Sequence, residues 1–446
     1  MTPSSRDSDA IDARARIWPV VLLLMAYAGA GHFNRISLAV AGSERLMSQL
    51  SISETELGVV YSAFLLTYTV CMLPGGWLID RLGPRRALAG MGWGVAVCVA
   101  LTGMLGLFDA ALFSLTALVV IRSLMGAIST PLHPGAARMV ALATPARAHS
   151  GINGLVTGAA LAGVASAFPV FGLLVDCLDW PAAFLVSAVA TMVVASCWRF
   201  IPVAPCERVD LSDPASEPCS AGLRDLLRNR RLVLLTLSYG MVGYFQYIFF
   251  YWIQHYFTAV LLIDKSTARF FATVPTLAMA VGMPLGGWLA DRLSRSGIRP
   301  AFVPATGLFL GAALMGGGLA TRQPMLVVVC FALSMMAVGA TEGMFWTTAV
   351  ELGGSRGGLS AALVNTGGNA GGVLAPWVTP LLGTAFGWEF GFGLGSLCCA
   401  AGGLCWFWIN RPQAAPDAVA VVSFANAAPQ NTVNVSALLP ADDRHS

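Results

Sequence analysis

Six ionisable side chains lie inside long apolar stretches of this sequence, where a charge is unfavourable. They are His32, Arg35, Arg122, His133, His255 and Glu342. Such a group costs roughly 2.5–3.5 kcal/mol on membrane-insertion scales, so it usually faces a cavity and has a function. Arginine offers a planar fork of donors that matches a carboxylate or phosphate, and histidine titrates near neutral pH. The pattern predicts a buried anion site with nearby groups that exchange protons.

Each of these residues also has a structural interpretation. Either arginine could bond backbone carbonyls near a helix end, and each histidine could be a hydrogen-bonded cavity residue. Glu342 is the only carboxylate well inside an apolar run. It could carry a proton, pair with a cavity arginine or bind an amine of a substrate. We predict Glu342 and His133 as coupling residues, and His32, His255 and the aromatic Trp346 as substrate contacts.

The composition is typical of a protein that lies mostly within a membrane. Of 446 residues, 56% are hydrophobic and 11% are charged, and the mean hydropathy is +0.71. Soluble domains carry about 25% charged residues. The net charge of +3 is too small to indicate nucleic acid. We find no nucleotide-binding loop, metal-ligand cluster or nucleophile triad, so we expect no enzymatic activity, no metal and no cofactor. We expect the ten cysteines to serve as small packing residues.

The elements that must position these residues are twelve apolar runs, each near the ~20 residues that span a bilayer. The runs are 17–41, 55–78, 86–107, 114–140, 151–176, 181–203, 231–258, 267–290, 301–321, 325–351, 357–385 and 388–410. They predict an all-α protein with a six-helix bundle at 17–203 and another at 231–410. A polar segment at 1–16, a linker at 204–230 and a disordered tail at 411–446 would be cytoplasmic.

The basic residues predict the orientation. With a cytoplasmic N-terminus, twenty of them fall inside and four outside, namely Arg45, Lys265, Arg269 and Arg322. Cytoplasmic loops carry the excess of positive charge in membrane proteins. Both termini are therefore expected in the cytoplasm, which requires an even number of spans.

The two halves repeat. GGWLIDRLGPR at Gly75–Arg85 returns as GGWLADRLSRS at Gly286–Ser296, and DWPAAF at Asp179–Phe184 returns as GWEFGF at Gly387–Phe392. Both pairs are separated by about 210 residues. An internal repeat in a chain of many spans is typical of transporters in which one half moves against the other.

The repeated loop resembles the loop motif of the major facilitator superfamily, and it stands at the matching place in both halves. The resemblance implies two pseudo-symmetric six-helix bundles whose first, fourth, seventh and tenth helices line a central cavity. All six buried ionisable residues fall on those helices. It also implies a cytoplasmic gate formed by Asp80, Arg81, Arg85, Asp291 and Arg292. The alternative is a solvated positive loop.

A narrower resemblance is to the anion:cation symporter family of organic-anion transporters. It is carried by NRISLAV at Asn34–Val40, by the second-helix stretch YSAFLLTYTVCMLPGGWLIDR, by the aromatic helix at Tyr239–Phe257 and by NTGGNAGGVLAP at Asn365–Pro376. It implies anion or substrate contacts at Arg35, Arg122, Tyr61, Tyr68, Asn365 and Asn369. The sequence departs from the family at Asn34 and Ser129, where proton-coupled members tend to have acids, so simple proton symport is in doubt.

These features together predict a secondary transporter that moves a small organic anion, such as a sugar acid or aromatic acid, by alternating access. Protons are the candidate coupling ion. The expected setting is a bacterial inner membrane, the expected partners are the substrate and the bilayer, and a monomer is expected. One alternative is an exporter of a siderophore or drug-like compound. A second alternative is a transporter-like protein that senses a ligand without moving it.

Overall fold

Every regular element in the described part of the chain is helical. The computed structural model describes residues 5–107, 114–143, 149–200, 219–296, 302–353 and 357–409. The α-helices are α1 (Ser5–Ala41), α2 (Met47–Gln49), α3 (Glu54–Val70), α4 (Met72–Leu82), α5 (Pro84–Leu105), α6 (Ser114–Ser129), α7 (Leu132–Ala143), α8 (His149–Ser166), α9 (Gly172–Ser196), α10 (Cys219–Arg228), α11 (Arg230–His255), α12 (Lys265–Arg295), α13 (Phe302–Leu319), α14 (Pro324–Gly339), α15 (Glu342–Gly353), α16 (Gly357–Phe386) and α17 (Trp388–Ile409). Three π-helical segments adjoin them at Gly42–Leu46, Ala167–Phe171 and Tyr256–Val260.

These helices make twelve spans. Nine stretches of the described residues have the length and hydropathy of a membrane-spanning helix. The longest, Ile152–Ser196, has 45 residues, which at 1.5 Å per residue is more than twice the ~30 Å apolar core. It turns at Asp179, where the backbone is non-helical, and so makes two spans. The consecutive helices α3 and α4 and the 30-residue α16 supply the other two. The predicted all-α, twelve-span fold is confirmed.

The helices pack in the same pattern in the two halves. In the first half the principal pairs are α1 with α8, α3 with α6 and α5 with α9. In the second half the equivalent pairs are α11 with α16, α12 with α14 and α13 with α17, and α11 also packs extensively on α17. These pairs join equivalent spans, because the six spans of the second half repeat those of the first. Between the halves, α3 packs on α16 and α8 packs on α12, so the contact between halves is also symmetric.

The second sequence echo forms the tight turn between the last two spans of each half. Asp179 and Gly387 both have positive φ angles, of 61° and 102°. Each is followed by a buried tryptophan, Trp180 or Trp388. Glycine adopts such a backbone freely, whereas the Asp179 side chain accepts a hydrogen bond from the Trp180 amide at 2.8 Å. Both residues therefore allow two consecutive spans to be joined by a tight turn.

The first echo brings helices into close contact through one glycine of its pair. A Cβ on Gly75 would collide with Thr130, and one on Gly286 would collide with the Ala340 backbone. A Cβ added to the second glycine of each pair, Gly76 or Gly287, would meet no other atom within 4 Å. The close approach therefore occurs at the points where the fourth and tenth spans are interrupted.

A stripe of glycines joins the seventh and eleventh spans. Cβ atoms added at Gly243 or Gly371 would lie against the backbone carbonyls of Gly368 or Gly240, respectively. Small residues at such contacts let membrane helices approach closely. The glycines of the NTGGNAGG stretch thus serve packing of α16 on α11.

Several predicted segments fall partly outside the described residues. Of the 204–230 linker, residues 204–218 lie outside them, and the remainder contains α10. The 411–446 tail lies outside them entirely. The polar segment at 1–16 is helical from Ser5 onward and continues into the first span.

The glycine stripe gives a stability prediction. Gly371→Val should destabilise the protein by about 1–3 kcal/mol, because the new side chain must displace a backbone carbonyl. Gly393→Val is the matched control, since a Cβ at Gly393 meets nothing within 4 Å. Thermal unfolding of the purified protein measures both. Equal melting temperatures for the two variants would show that the contact is not tight.

Candidate functional site

We name the two ends of the bundle from the predicted orientation. The inner end carries Ile17 and Ile409, and the outer end is the opposite one. In the seventh span, the outer-half residues Ile248 to Phe257 are all buried. By contrast, His133 and Trp346, on the fourth and tenth spans, are exposed. The outer half of the seventh span is therefore covered by neighbouring helices.

Arg35 lies in α1 beside a small cavity of about 40 Å³. Its Nε donates a hydrogen bond to the Tyr251 hydroxyl at 3.2 Å. Its guanidinium also lies over the rings of Phe64 and Tyr247, at 5.1 and 4.8 Å from their centroids. Its Nη2 is buried and has no hydrogen-bond partner in the described part of the chain. A buried N–H of this kind is rare, so Arg35 is the candidate contact for an anion among these residues.

Two histidines lie in the same cavity as Arg35. The rings of His32 and His133 are in edge contact, with their centroids 5.4 Å apart. The Nδ1 of His32 is 3.0 Å from the Ala28 carbonyl oxygen. A carbonyl only accepts, so Nδ1 carries a hydrogen and Nε2 is left for another partner. Tyr68 also lines this cavity. The structure thus brings together four predicted site residues, which are His32, Arg35, Tyr68 and His133.

Arg122 is arranged differently from Arg35. It is 1% exposed. Its Nη2 donates to the Arg35 carbonyl at 2.7 Å, and its Nη1 donates to the Asn34 carbonyl at 3.4 Å. Its side chain therefore holds the backbone of α1, which is the structural role that the sequence left open. Arg122 is not among the residues that line the cavity beside Arg35.

Asn34 has a packing role in this structure. Its amide donates to the Thr191 hydroxyl at 2.8 Å, and its carbonyl oxygen accepts from the Ser187 hydroxyl at 2.6 Å. Both bonds join α1 to α9. The amide nitrogen and the amide oxygen of Asn34 both bond within the first half, so this side chain holds α1 and α9 together.

Glu342 begins α15, directly after the break in the tenth span. Its carboxylate accepts hydrogen bonds from the Tyr239 hydroxyl at 3.0 Å and from the Gln246 amide at 3.0 Å. Both donors are neutral and both lie on α11. Trp346 makes an edge contact with the Tyr239 ring at 5.7 Å. This pair of predicted residues therefore forms a polar cluster on the second half, apart from the residues around Arg35.

Four other predicted substrate contacts lie at the junction of the halves. Asn365 and Asn369 both approach the sulfur of Met72, at 4.0 and 3.5 Å. Tyr61 is buried and stacks on Tyr251 at 4.7 Å. His255 is 2.9 Å from a carboxylate oxygen of Glu54 at the outer end. None of the four lines the cavity beside Arg35.

A buried ion cluster closes the outer end. Arg269 of α12 donates to both carboxylate oxygens of Glu44, at 2.7 and 2.5 Å, and it is paired with Asp176. Gln254 donates to Glu44 at 2.5 Å, and the Lys265 ammonium lies 3.4 Å from the Glu44 carbonyl. The side chains of Arg269 and Glu44 are 6% and 1% exposed. Because Glu44 and Asp176 belong to the first half and Arg269 to the second, the cluster ties the halves together.

The sequence did not reveal this outer cluster. Its charges stand at the ends of apolar runs, where a solvated residue is ordinary. Arg269 and Lys265 were counted among the four basic residues outside. One signal was present: Glu44 and Asp176 fall at the same predicted end as these bases.

The repeated loops make equivalent contacts within each half. Arg81 lies over the Trp77 ring at 5.1 Å, and Arg292 lies over the Trp288 ring at 5.5 Å. Arg85 donates to the Trp198 carbonyl at 2.7 Å. The side chains of Asp80 and Asp291 lie outside what the structure describes. The predicted gating role of these residues stays a prediction.

Comparison with known proteins assigns the family. The sequence profile of the Major Facilitator Superfamily matches residues 23–362 and 261–434. A D-galactonate transporter of Escherichia coli is 28% identical over 80% of this chain and 86% of its own length. A probable galactarate/D-glucarate transporter of Bacillus subtilis is 24% identical over 77% and 81%.

Solved structures show the same fold. A bacterial homolog of the human lysosomal transporter Spinster, described as inward-facing and occupied, has a TM-score of 0.70 at 15% identity. The match covers 87% of this chain and 96% of that one. A D-xylose-proton symporter has a TM-score of 0.69 at 15% identity, over 88% and 97%.

The fold defines a multi-pass membrane protein built from two six-helix bundles. The chain belongs to the Major Facilitator Superfamily, and it is a transporter rather than an enzyme.

The outer cluster gives a prediction about stability. Arg269→Gln should destabilise the closed protein by about 3 kcal/mol, because it leaves the buried Glu44 carboxylate without its ion-pair partner. Glu44→Gln should cost less, since Arg269 keeps Asp176. The double variant should lose less than the sum of the single losses.

Denaturant unfolding of the purified protein measures this cycle. Arg45→Gln is the control, because the Arg45–Asp179 pair is half-exposed at 3.6 Å and should contribute at most about 1 kcal/mol. Strict additivity of the two single variants would show that Arg269 and Glu44 are not coupled.

Proposed function

We propose that this protein is a secondary active transporter that carries a small organic anion across the bacterial inner membrane by alternating access. The observation that carries the proposal is the unpaired Nη2 of Arg35. It is a charged donor in a membrane-embedded cavity, and an arginine fork suits a carboxylate. The relatives named above are transporters of sugar acids by name, which supports an organic acid as the class of substrate.

Alternating access is supported by the contacts between the halves. From the outer end inward, the halves meet at the Glu44–Arg269 ion pair, at the Tyr61–Tyr251 stack and at the Arg35–Tyr251 hydrogen bond. Opening the outer end would separate these layers together. We propose that the repeated loops, through Asp80, Arg81, Arg85, Asp291 and Arg292, close the inner end in the opposite state.

The coupling ion in this proposal is a proton. Two groups of titratable side chains are candidate carriers, the His32–His133 pair beside Arg35 and Glu342 on the second half. A carboxylate held by two neutral donors can accept a proton without breaking an ion pair. We therefore assign the coupling role first to Glu342.

The topology proposed here places both termini in the cytoplasm, from the arginine distribution. We propose that a single copy of the chain is the transporting unit, because each half supplies groups to the same central region. Arg35 of the first half contacts Tyr247 and Tyr251 of the second.

The anion site is tested with Arg35. Arg35→Gln should weaken binding of an organic acid by at least about 30-fold, which is 2 kcal/mol, because the charge and the fork are lost. Ligand-induced thermal stabilisation and uptake into proteoliposomes measure this. Arg122→Ala should also abolish transport with membrane insertion intact, through the position of α1. If Arg35→Gln takes up organic acids normally, the proposed site is wrong. If proteoliposomes that contain the wild-type protein take up no organic acid, the exporter and sensor alternatives replace this proposal.

Coupling is tested with Glu342. Glu342→Gln should remove the stimulation of uptake by an inward proton gradient while uptake down the gradient of the acid itself continues. A pH-sensitive dye inside the vesicles reports proton flux. Glu351→Gln is the control, since Glu351 is exposed near the end of the same helix. Unchanged stimulation in Glu342→Gln would transfer the role to the two histidines.

A further inference from the structure

His255 is a buried titratable residue to which the proposed transport mechanism gives no role. It ends α11, and its Nε2 lies 2.9 Å from a carboxylate oxygen of Glu54, the first residue of α3. An ionised carboxylate only accepts hydrogen bonds, so this Nε2 carries a hydrogen. Because α3 belongs to the first half and α11 to the second, the bond crosses between the halves at the outer end.

Each partner of this bond is held by its own half. The imidazole of His255 contacts two indole rings of the second half, Trp252 and Trp388, at centroid distances of 5.7 and 4.8 Å. The Trp252 indole N–H donates to the Pro376 carbonyl at 3.0 Å, which fixes that ring on α16. Glu54 stands in the first turn of α3, whose start is fixed by a capping box. A motion that separates the halves must therefore separate the imidazole from the carboxylate.

The pair is partly accessible to the water at the outer end. The side chains of His255 and Glu54 are 8% and 26% exposed. Histidine is the side chain whose charge ordinarily changes between about pH 5 and pH 8. A neutral imidazole donates a hydrogen bond to Glu54, and a protonated one adds an ion pair to that bond. The contact between the halves is therefore stronger when His255 carries the extra proton.

Other titratable groups on the surrounding elements change charge outside this range of pH. They are Glu44, Glu56, Asp264, Lys265, Arg269 and Glu389. Glu44 pairs with Arg269, and Glu56 accepts from the Ser53 backbone N–H at 2.8 Å. Helix α16, which packs on α11, has no ionisable residue in its sequence. Carboxylates ordinarily titrate below the range of histidine, and lysine and arginine titrate above it.

We infer that the contact between His255 and Glu54 is a pH-sensitive device that closes the outer end when His255 is protonated. The closed state joins the imidazolium to a carboxylate, whereas the open state separates them. The closed state therefore binds the proton more tightly, and by linkage the proton favours closure. Acid outside should close this end, and a higher pH should release it. This inference rests on the proposed function for the topology and for the existence of an open state.

The test measures the width of the outer end directly. Ser48→Cys and Ser266→Cys place spin labels on exposed outer-end residues of the first and second halves. The full-length protein, with its native cysteines replaced by serine, is held in nanodiscs, so that both ends meet the same pH. Pulsed electron paramagnetic resonance gives the distance distribution. Between pH 8 and pH 5 we expect the ratio of closed to open molecules to rise about fivefold, the effect of one partly buried ion pair.

Three variants assign the effect to this pair. His255→Gln keeps a neutral donor for Glu54 and should abolish the dependence on pH. Glu54→Gln removes the carboxylate and should abolish it as well. Glu56→Gln is the matched control, because Glu56 is exposed on the same turn of α3 and bonds within its own half. It should keep the full dependence.

If the wild-type protein shows a single distance at every pH, the series is repeated in Arg269→Gln, whose weakened outer cluster raises the open population. A distance that is independent of pH in both proteins would overturn this inference. A dependence on pH that survives in His255→Gln would also overturn it, because another group would then be responsible. The measurement needs no substrate. Failure to take up organic acids would therefore overturn the proposed function and leave the pH-sensitive contact standing.

Discussion

A buried charge among apolar helices must be matched by a partner, and this constraint organises the whole bundle. Arg269 meets it completely, with two carboxylates around one guanidinium. Arg122 meets it largely, with the backbone carbonyls of Asn34 and Arg35, although its Nε has no hydrogen-bond partner among the described residues. Arg35 meets it only in part, through a tyrosine hydroxyl and two rings. The three arginines therefore differ in how much attraction for an anion remains, and Arg35 retains the most.

The twofold repeat explains why the matched charges occur where they do. Equivalent helix pairs hold each half together. In the proposed alternating access each half would move as a unit, and the contacts between the halves would have to be separable. The outer ion pair and the Tyr61–Tyr251 stack are of this kind, since each joins one side chain from either half. Contacts such as Asn34 with Ser187 and Thr191 stay within one half and are not broken by such a motion.

The sequence predicted the helices well because hydropathy alone decides which segments enter a membrane. It also singled out His32, Arg35, Tyr68 and His133, which share one cavity, because titratable residues in apolar runs are rare. It could not foresee the outer cluster, since Glu44 and Arg269 are 225 positions apart and each stands where a solvated charge is ordinary.

Arg35 is the proposed contact for the anion, and it also contacts side chains of the other half. Its hydrogen-bonded tyrosine, Tyr251, also stacks on Tyr61, so the guanidinium contacts the layer that closes the outer end. Opening that end would withdraw Tyr251 and Tyr247 from Arg35 and leave its remaining donors without neutral partners. An anion on Arg35 would replace those partners and lower the free energy of the separated state. A ligand shifts a conformational equilibrium only by its difference in affinity for the two states. In the proposed mechanism, an anion contact beside the closing layer would supply such a difference, whereas a contact buried within one half, like that of Arg122, would not.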